Sequence, residues 1–213
     1  MTQHIAVLTG DIIDSRRIAD SRRLHGVLDE TLEHLASHHD GRYERFRGDG
    51  FQLAMPNAAT ALDVAVALRA ALVMHGETQR WDARVAVAVG ADTWQPDAPL
   101  AAADGPVFVA SGQGLDAMGD EAHLTLALVD APEDPGLALL IRYVDELIDG
   151  WSRHAAEITH LRLWHDASQQ ALADHLGIRQ PSVHKRLRTA RWALLADTLA
   201  FFRSRLAMEG PSS

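Results

Sequence analysis

The sequence contains no cysteine in its 213 residues. Disulfide bonds, thiolate metal sites and cysteine nucleophiles are therefore excluded, and the composition fits a reducing compartment. No uninterrupted apolar run approaches the roughly 18 residues of a membrane span, so we expect no membrane partner. The first residues, MTQHIAVLTGD, lack the basic start and the long apolar stretch of a signal peptide, which favours a cytoplasmic protein.

Positive charge is scarce in the first two thirds of the chain. Residues 1–136 hold 10 basic and 21 acidic residues, a net charge of −11, whereas residues 137–213 hold 10 basic and 8 acidic residues, a net charge of +2. Because the N-terminal part would repel a polyanion, we expect any affinity for nucleic acid in the C-terminal part. The acidic part could instead bind cations.

Apolar patterning in residues 1–132 predicts an α+β domain. The runs HIAVLTG and RVAVAVG are short, apolar and rich in β-branched residues, as buried strands are. An antiparallel sheet with helices on one face, as in ferredoxin-like folds, would satisfy the predicted order of elements. The predicted strands cover 4–10, 43–47, 51–55, 84–90 and 123–128, and the predicted helices cover 20–37, 57–75 and 107–118.

The segment APEDPG (131–136) is the best candidate for a linker, since proline and glycine interrupt both helices and strands. After it, the pattern predicts an all-α domain over residues 137–213. Its predicted helices cover 137–153 and 154–166, then a helix-turn-helix over 168–191, then a last helix near 192–206.

The helix-turn-helix is the most distinctive local pattern in residues 168–191. Leu172 and Leu176 share one face of its first helix. Gly177 follows where a left-handed cap favours a residue without Cβ. Pro181 falls in the first turn of the second helix, where its missing N–H leaves no helical bond unmade.

The second helix of this pair separates an apolar face from a polar one. From Arg179 to Arg191 there are five Lys or Arg residues and no Asp or Glu. Short polar groups near the start and cations along the sides suit a helix in the major groove of double-stranded DNA. The residues expected to contact DNA are Gln180, Ser182, Lys185, Arg186, Arg188 and Thr189. The alternative is a plain helical hairpin with a solvated basic face.

Two aspartates mark a candidate metal site in the N-terminal part. Asp11 ends the first predicted strand, in VLTGDIIDSR, and Asp49 lies in the predicted hairpin, in RFRGDGFQL. If strand and hairpin are neighbours, these carboxylates and the backbone carbonyl of Ile12 suit Mg²⁺ that carries the phosphates of a nucleotide. The N–H groups after Asp11, with Arg16 and Arg17, could hold a terminal phosphate. The alternative is that Asp11 only caps the next helix and that Asp49 is an ordinary turn residue.

The segments TGDIIDSR, FRGDGFQL and ARVAVAVG, in this order, resemble the class III nucleotide cyclases, the adenylate and guanylate cyclases. The resemblance implies that Asp11 and the Gly48-Asp49 pair form the metal and nucleotide site. It also implies that Arg45 stands where the family has its base-selecting lysine. The whole chain is more closely similar to the SatD-like proteins, which combine a TGDI-x-x-SR start, a GDGFQ hairpin and a C-terminal helix-turn-helix.

One segment departs from the cyclase pattern. Active class III cyclases carry a later V-N-x-A-x-R segment, whose Asn and Arg steady the ribose and the transition-state phosphate. The corresponding segment here, VASGQGLD (109–116), places Ala110 and Gly114 at these positions. Loss of one preorganised donor can lower a rate by on the order of 10²–10³. The resemblance therefore implies a binding domain more strongly than an enzyme.

Together these patterns predict a DNA-binding transcriptional regulator whose N-terminal domain senses a nucleotide with Mg²⁺. One alternative is an active nucleotidyl cyclase or nucleotidyltransferase with the helix-turn-helix as an appendage, and another is an N-terminal domain that only dimerises. Helix-turn-helix proteins usually bind two half-sites as dimers. Class III cyclase domains also pair, so a homodimer is expected.

Overall fold

A five-stranded sheet lies at the centre of the N-terminal half. The computed structural model describes residues 3–46, 48–95, 98–129, 131–165 and 167–208. The strands are β1 (Gln3–Ile12), β2 (Arg42–Arg45), β3 (Phe51–Met55), β4 (Ala83–Asp92) and β5 (Leu124–Leu128), and the helices of this half are α1 (Ser21–His38), α2 (Ala61–His75) and α3 (Pro106–Asp116). The spatial order is β2-β3-β1-β4-β5, so the two longest strands, β1 and β4, are both internal.

The α+β class is confirmed, but the sheet is mixed rather than antiparallel. β1 pairs antiparallel with β3 and with β4, and β2 pairs antiparallel with β3. β4 and β5 run parallel. Helix α3 connects these two strands, and it provides the crossover that a parallel pair requires.

Helices cover both faces of the sheet, whereas the sequence analysis placed them on one. α1 and α2 pack against the face that carries Ala6 and Leu8 of β1. α3 packs against the opposite face, which carries Ile5 and Val7. Because successive side chains of a strand point to opposite faces, a wholly buried run such as Ile5–Leu8 has to be covered from both sides.

The described residues from Pro135 onward form five helices that pack onto the N-terminal half, so the first helix begins within the predicted linker 131–136. They are α4 (Pro135–Asp149), α5 (Arg153–Trp164), α6 (Gln169–Leu176), α7 (Gln180–Thr189) and α8 (Trp192–Met208). Ile158 of α5 and Phe202 of α8 are fully buried in the same hydrophobic cluster as Leu72 of α2. The division into residues 1–132 and 137–213 stays a prediction, and in the fold the two parts share a continuous core.

Helix α2 is apolar on almost all sides. With the preceding 3-10 turn it is, within the described ranges, the one helix long and apolar enough to cross a membrane by length and composition, with a mean hydropathy of 1.5 over Ala58–His75. In the fold 72% of this segment is buried. The sheet and α5 enclose it, so its place in the core accounts for its composition.

Several element ends differ from the prediction. β1 continues to Ile12, so Asp11 belongs to the strand. β2 ends at Arg45, and Arg47 of the predicted strand lies outside the described residues. α5 ends at Trp164, and residue 166 of the predicted helix also lies outside them.

Candidate functional site

The hairpin between β2 and β3 lies against the end of β1, as the candidate metal site requires. Gly10 of β1 pairs with Phe51, the first residue of β3. Asp11 is the residue after Gly10 on β1, and Asp49 lies two residues before Phe51 in the hairpin. The approach is close, because a Cβ at Gly10 would lie 2.4 Å from the Phe51 ring, and one at Gly50 would lie 3.9 Å from the Gly10 carbonyl oxygen. Asp11 and Asp49 therefore share one end of the sheet.

Arg84 is the direct partner of Asp11, and the sequence analysis missed it. The two residues lie opposite each other on β4 and β1. The guanidinium donates through Nε, at 2.9 Å, and through Nη2 to the two carboxylate oxygens. This bonding, together with the negative charges of Asp11, Asp120 and Asp49, raises the pKa of Arg84 despite its partial burial. The segment ARVAVAVG could not reveal the pair, because the pairing depends on strand register.

The donor set at this end of the sheet fits a divalent cation. Three carboxylates act on the guanidinium of Arg84, so the local charge stays negative. Asp11 and Asp49 offer the hard oxygen ligands that Mg²⁺ prefers, and the backbone of Ile12 follows directly. Because Asp11 already has a cationic partner, a metal ion would compete with Arg84 for this carboxylate.

Arg45, the expected base-selecting residue, is directed toward helix α1. Its Nη1 donates to both carboxylate oxygens of Asp29, at 3.1 and 3.2 Å. Its Nη2 donates to the carbonyl oxygen of Gly48 at 3.4 Å, and Gly48 has a φ of +91° that suits a residue without Cβ. A contact of Arg45 with a nucleotide stays a prediction and would require the guanidinium to leave Asp29.

Arg16 and Arg17 lie in a short 3-10 helix after β1. Both side chains are exposed. Arg17 forms an ion pair with Asp14 at 3.5 Å, and 80% of the Arg17 side chain remains exposed. A pair as exposed as this contributes little free energy, so both arginines can turn toward an anion.

The predicted phosphate site at the N–H groups after Asp11 needs a correction. The N–H of Ile13 already donates to the carbonyl oxygen of Asp82, at 3.0 Å. Helix α1 begins only at Ser21 and is capped by the side chain of Asp20. Asp11 therefore does not stand at the entry to this helix, and a phosphate would depend on side chains rather than on the helix start.

The segment that departs from the cyclase pattern forms most of α3 and packs tightly on the sheet. A Cβ at Gly114 would lie 3.3 Å from the Cβ of Ala86 on β4. Ser111 is fully buried, and its hydroxyl bonds the carbonyl oxygen of Phe108 at 2.9 Å and the hydroxyl of Thr9 at 2.8 Å. A side chain at position 114 would therefore require Ala86 to shift by a few tenths of an ångström.

A second group of titratable residues could hold a metal ion. His123, Asp145 and Asp149 place one ligand atom each within 4.8 Å of one another. The sequence analysis did not connect them, since His123 precedes β5 and the two aspartates lie on α4. The guanidinium of Arg69 on α2 already lies among them, and it donates to Asp145 at 2.5 Å and to Asp149 at 2.7 Å.

Arg69 makes this second group a structural ion network. Its side chain is fully buried and also donates to both oxygens of Asp82, at 2.8 and 2.9 Å. Burial alone would lower the pKa of Arg69, but Asp82, Asp145 and Asp149 outweigh it and raise the pKa. The second oxygen of Asp145 accepts the N–H of His123 at 2.8 Å. A metal would have to displace Arg69, so we assign the network to joining α2, β4, β5 and α4.

The helix-turn-helix geometry predicted for residues 168–191 is present in α6 and α7. Ser168 caps α6 through its side chain. Gly177 has a φ of +63°, and the N–H of Ile178 donates to the carbonyl oxygen of Ala173 at 3.0 Å. This bond is typical of a helix that ends in a left-handed residue. The turn is confirmed, and DNA binding itself stays a prediction.

Helix α7 buries one face and exposes a polar one. Val183 and Leu187 are buried against the neighbouring helices. Five of the six residues predicted to contact DNA are exposed, and these are Gln180, Ser182, Lys185, Arg188 and Thr189. The surface available to a polyanion is therefore basic and lies on one side of α7.

Arg186 points away from this exposed surface, so the DNA-contacting surface of α7 has one cation fewer than the sequence predicts. It follows Lys185 by about 100° around the helix, a rotation that brings it beside α5. There its Nη1 pairs with a carboxylate oxygen of Glu157, and only 20% of the Arg186 side chain is exposed. A contact of Arg186 with DNA stays a prediction and would require this pair to break.

No family model matches the sequence, and no curated protein matches it significantly. Among solved structures, the active GGEEF domain of a diguanylate cyclase from Vibrio cholerae is similar at 17% identity and a TM-score of 0.46, over 61% of this chain and 85% of that one. The resemblance to SatD-like proteins stays a prediction.

Two nucleotide cyclases are also similar at 17% identity. The guanylyl cyclase Cya2 has a TM-score of 0.35, with 43% of this chain and 56% of that chain covered. The adenylyl cyclase CyaB from P. aeruginosa has a TM-score of 0.31, with 43% and 58% covered. The chain thus spans little more than half the length of either cyclase. These are distant similarities of fold, and they carry no inference about ligand or reaction.

Proposed function

We propose that this chain is a DNA-binding transcriptional regulator whose N-terminal half binds a nucleotide together with Mg²⁺. The observation that carries the proposal is the exposed basic surface of α7 behind the glycine turn at Gly177. Four of the five Lys and Arg residues between positions 179 and 191 are exposed there, and the fifth, Arg186, holds α7 onto α5.

The chemistry of this surface suits the major groove. Ser182 lies near the start of α7, where the recognition helix of a helix-turn-helix contacts base edges. Lys185 and Arg188 lie further along the exposed face, within reach of phosphates on either side of the groove. Since the whole chain carries a net charge of −9, non-specific attraction is weak, and affinity depends on contacts made by this helix.

The DNA proposal is tested with the double variant Lys185→Ala/Arg188→Ala. Fragments are first selected from a random double-stranded DNA pool with the unmodified protein, and binding is then measured by gel shift across a salt series. We expect the affinity to fall about tenfold or more, and the salt dependence to become shallower by about one unit per lost phosphate contact.

The matched control is Arg22→Ala/Arg23→Ala on α1, which removes the same charge from exposed positions far from α7 in the chain. It should leave both the affinity and the salt slope unchanged. Equal binding by the two double variants, or a failure to select any fragment, would contradict the role given to α7.

The nucleotide proposal rests on the convergence of Asp11 and Asp49 and on the negative charge around Arg84. When bound, Mg²⁺ would neutralise the phosphates of the nucleotide. Asp11 and Asp49 would hold the ion, and Arg16 and Arg17 would approach the terminal phosphate. Calorimetric titration with ATP or GTP in the presence of Mg²⁺ should give a binding signal that Asp49→Asn abolishes.

Asp14→Asn is the control for this titration, because Asp14 is an exposed carboxylate three residues after Asp11. The binding signal should survive this change. If neither nucleotide binds with Mg²⁺, the N-terminal half of the proposal is wrong while the DNA half is unaffected.

An active cyclase is the second candidate, and the shared end of the sheet at Asp11 and Asp49 is the observation in its favour. Gly114 opposes it, since a glycine offers no guanidinium to a transition-state phosphate from that position. Release of pyrophosphate from ATP or GTP, lost in Asp49→Asn, would establish the enzyme and refute the sensor.

A further inference from the structure

The outer face of α4 carries large apolar side chains that no described residue of the chain covers. Leu139 is 52% exposed and Tyr143 is 63% exposed, and they lie one helical turn apart. Leu147 follows after one more turn and is partly buried. The three residues form an apolar stripe along α4, opposite the buried side that carries Ile141 and Val144.

This stripe continues into a groove beside the DNA-binding helix. The groove has a volume of about 510 Å³ and is lined by Leu147 of α4 together with residues of α6, α7 and α8. Its apolar lining includes Trp192 and Leu194, and Leu194 is 59% exposed. Among the described residues, Arg188 and Arg191 are the charged ones that line it, and none of the lining residues is a carboxylate.

We propose that this surface, the α4 stripe with its adjoining groove, is the interface between two copies of the chain, with the two α4 helices antiparallel. The stripe is symmetric about Tyr143, since Leu139 and Leu147 stand four residues before and after it. A two-fold axis at Tyr143 therefore places Leu139 of each copy opposite Leu147 of the other. A two-fold axis of this kind is the most common symmetry of protein dimers.

Charge on the flanks of the stripe favours the antiparallel arrangement. Arg142 and Glu146 are both exposed on α4 and, within the described ranges, neither has an ion-pair partner. In an antiparallel pair Arg142 of one copy approaches Glu146 of the other, twice by symmetry. A parallel two-fold pair would instead place these residues of the two copies on opposite sides of the interface, where Arg142 and Glu146 do not pair.

The antiparallel arrangement also brings an acidic residue of the second copy close to Arg191 of the groove. The Nε1 of Trp151, just after α4, donates to the carbonyl oxygen of Ala190 at 3.3 Å, so Arg191 stands beside the C-terminal end of α4. The antiparallel second copy brings the beginning of its own α4 to this end. The residue preceding that helix cap is Glu133, which is exposed and acidic. Arg191 of each copy thus faces Glu133 of the other, at both ends of the α4 pair.

A stable dimer needs both the α4 stripe and the adjoining groove, because the stripe by itself buries too little area. α4 has 15 residues and is about 22 Å long, so a pair of these helices buries less than the roughly 800 Å² per partner of a standard interface. The groove at Leu147 and Leu194 extends the contact and excludes water from the exposed leucine. The arrangement also leaves one α7 on each side of the dyad, as two DNA half-sites would need. Arg188 lines the groove and is also a proposed DNA contact, so the interface is tested with changes at Tyr143, Arg142 and Glu146, which lie outside the proposed DNA-binding residues.

The dyad is tested by a single engineered cysteine. Because the chain has no cysteine, Tyr143→Cys introduces its only thiol. A residue on a two-fold axis meets its own copy, so mild oxidation should convert Tyr143→Cys into a covalent dimer. Val109→Cys is the matched control, since Val109 is a 46% exposed apolar residue on α3. It should remain a free thiol, and cross-linking through Val109 alone would place the interface on α3 and overturn the proposal.

The charge pairing is tested by reversal and rescue in the full-length protein. Sedimentation of the unmodified chain should show a dimer, and Arg142→Glu should raise its dissociation constant about tenfold, since two pairs are lost by symmetry. The combined change Arg142→Glu/Glu146→Arg should restore the dimer. A monomer at every concentration, or a dimer that neither charge change affects, would overturn the proposal. In the first case the surface serves another partner.

Discussion

Two arginines in this molecule each hold aspartates, and they do so in opposite ways. Arg69 is fully buried and bonds Asp82, Asp145 and Asp149, of which Asp82 and Asp145 are also buried. Arg84 keeps 34% of its side chain exposed and bonds Asp11, and the charges of Asp49 and Asp120 also act on it.

The difference shows which of the two clusters can serve a ligand. Around Arg69 the carboxylate oxygens are occupied by the guanidinium groups of Arg69 and Arg80, by backbone N–H groups or by the His123 ring. A metal would leave the buried Arg69 unpaired. Around Arg84 the acidic charge exceeds the basic charge, and the cation can swing into water when another cation arrives. The first cluster therefore stabilises the fold, while the second can exchange its partner.

The largest effect is expected from Arg69→Ala. Removing this guanidinium leaves three buried or half-buried carboxylates facing one another, and breaking a buried pair in this way typically costs about 3–5 kcal/mol. Urea denaturation followed by circular dichroism measures the loss of unfolding free energy. If this variant does not fold, Asp149→Asn removes one partly exposed partner and should cost about 1–2 kcal/mol.

Arg23→Ala is the control for this change, because its pair with Glu77 is exposed on both sides. It should leave the denaturation midpoint almost unmoved. A loss after Arg69→Ala as small as this control would mean that the buried network does not join α4 to the sheet.

The next effect comes from a half-buried base that, unlike Arg69, has no acidic partner in the described part of the chain. His160 on α5 has a buried Nδ1 without a hydrogen-bond partner, and burial lowers the pKa of its imidazole from 6.5 to about 4. Between pH 6.5 and about 4, His160 therefore binds a proton in the unfolded chain and stays neutral in the folded chain. Stability should be complete above pH 6.5 and fall by up to about 3 kcal/mol as the pH decreases to 4.

This pH dependence is measured by denaturation at a series of pH values in the unmodified protein and in His160→Gln. The variant should show a flatter profile between pH 6.5 and 4, because the titrating group is gone. His154→Gln, an exposed position on the same helix, should retain the full slope. Identical profiles for all three proteins would show that His160 does not titrate as its burial requires.

The smallest effect on stability is expected from Arg84→Ala, no more than about 1 kcal/mol, because its pair with Asp11 is partly exposed. Its effect on ligand binding should be larger, and should differ between Mg²⁺ alone and Mg²⁺ with a nucleotide. Mg²⁺ alone should bind more tightly, by up to about tenfold, since the competing cation is lost. ATP or GTP with Mg²⁺ should gain less, because the guanidinium near the phosphates is lost too. Calorimetry measures both, and unchanged Mg²⁺ binding would remove Asp11 from the metal site.

Local patterns were sufficient for the C-terminal turn. The left-handed Gly177 and the position of Pro181 in the first turn of α7 follow from residue type and spacing within a short segment, and both are present in the structure. The direction of the Arg186 side chain could not be predicted from local patterns. Its direction depends on Glu157, which lies 29 residues earlier on another helix.

The candidate metal site divides in the same manner. Asp11 and Asp49 could be proposed from their place after a strand and in a hairpin, whereas Arg84 could be paired with Asp11 only through the register of β1 and β4. The parallel pairing of β5 was missed for a related reason, since a pattern of apolar residues marks a strand and does not specify its direction.

The sequence by itself determined the elements, the helix-turn-helix and the two aspartates, because each depends on side chains that are close along the chain. Only the tertiary structure decided which charges meet. Arg69 reaches Asp145 across 76 residues and Arg84 reaches Asp11 across 73, and no local spacing encodes either pair. Burial then separates their roles, since it makes a buried ion pair costly to break and leaves an exposed one free to exchange.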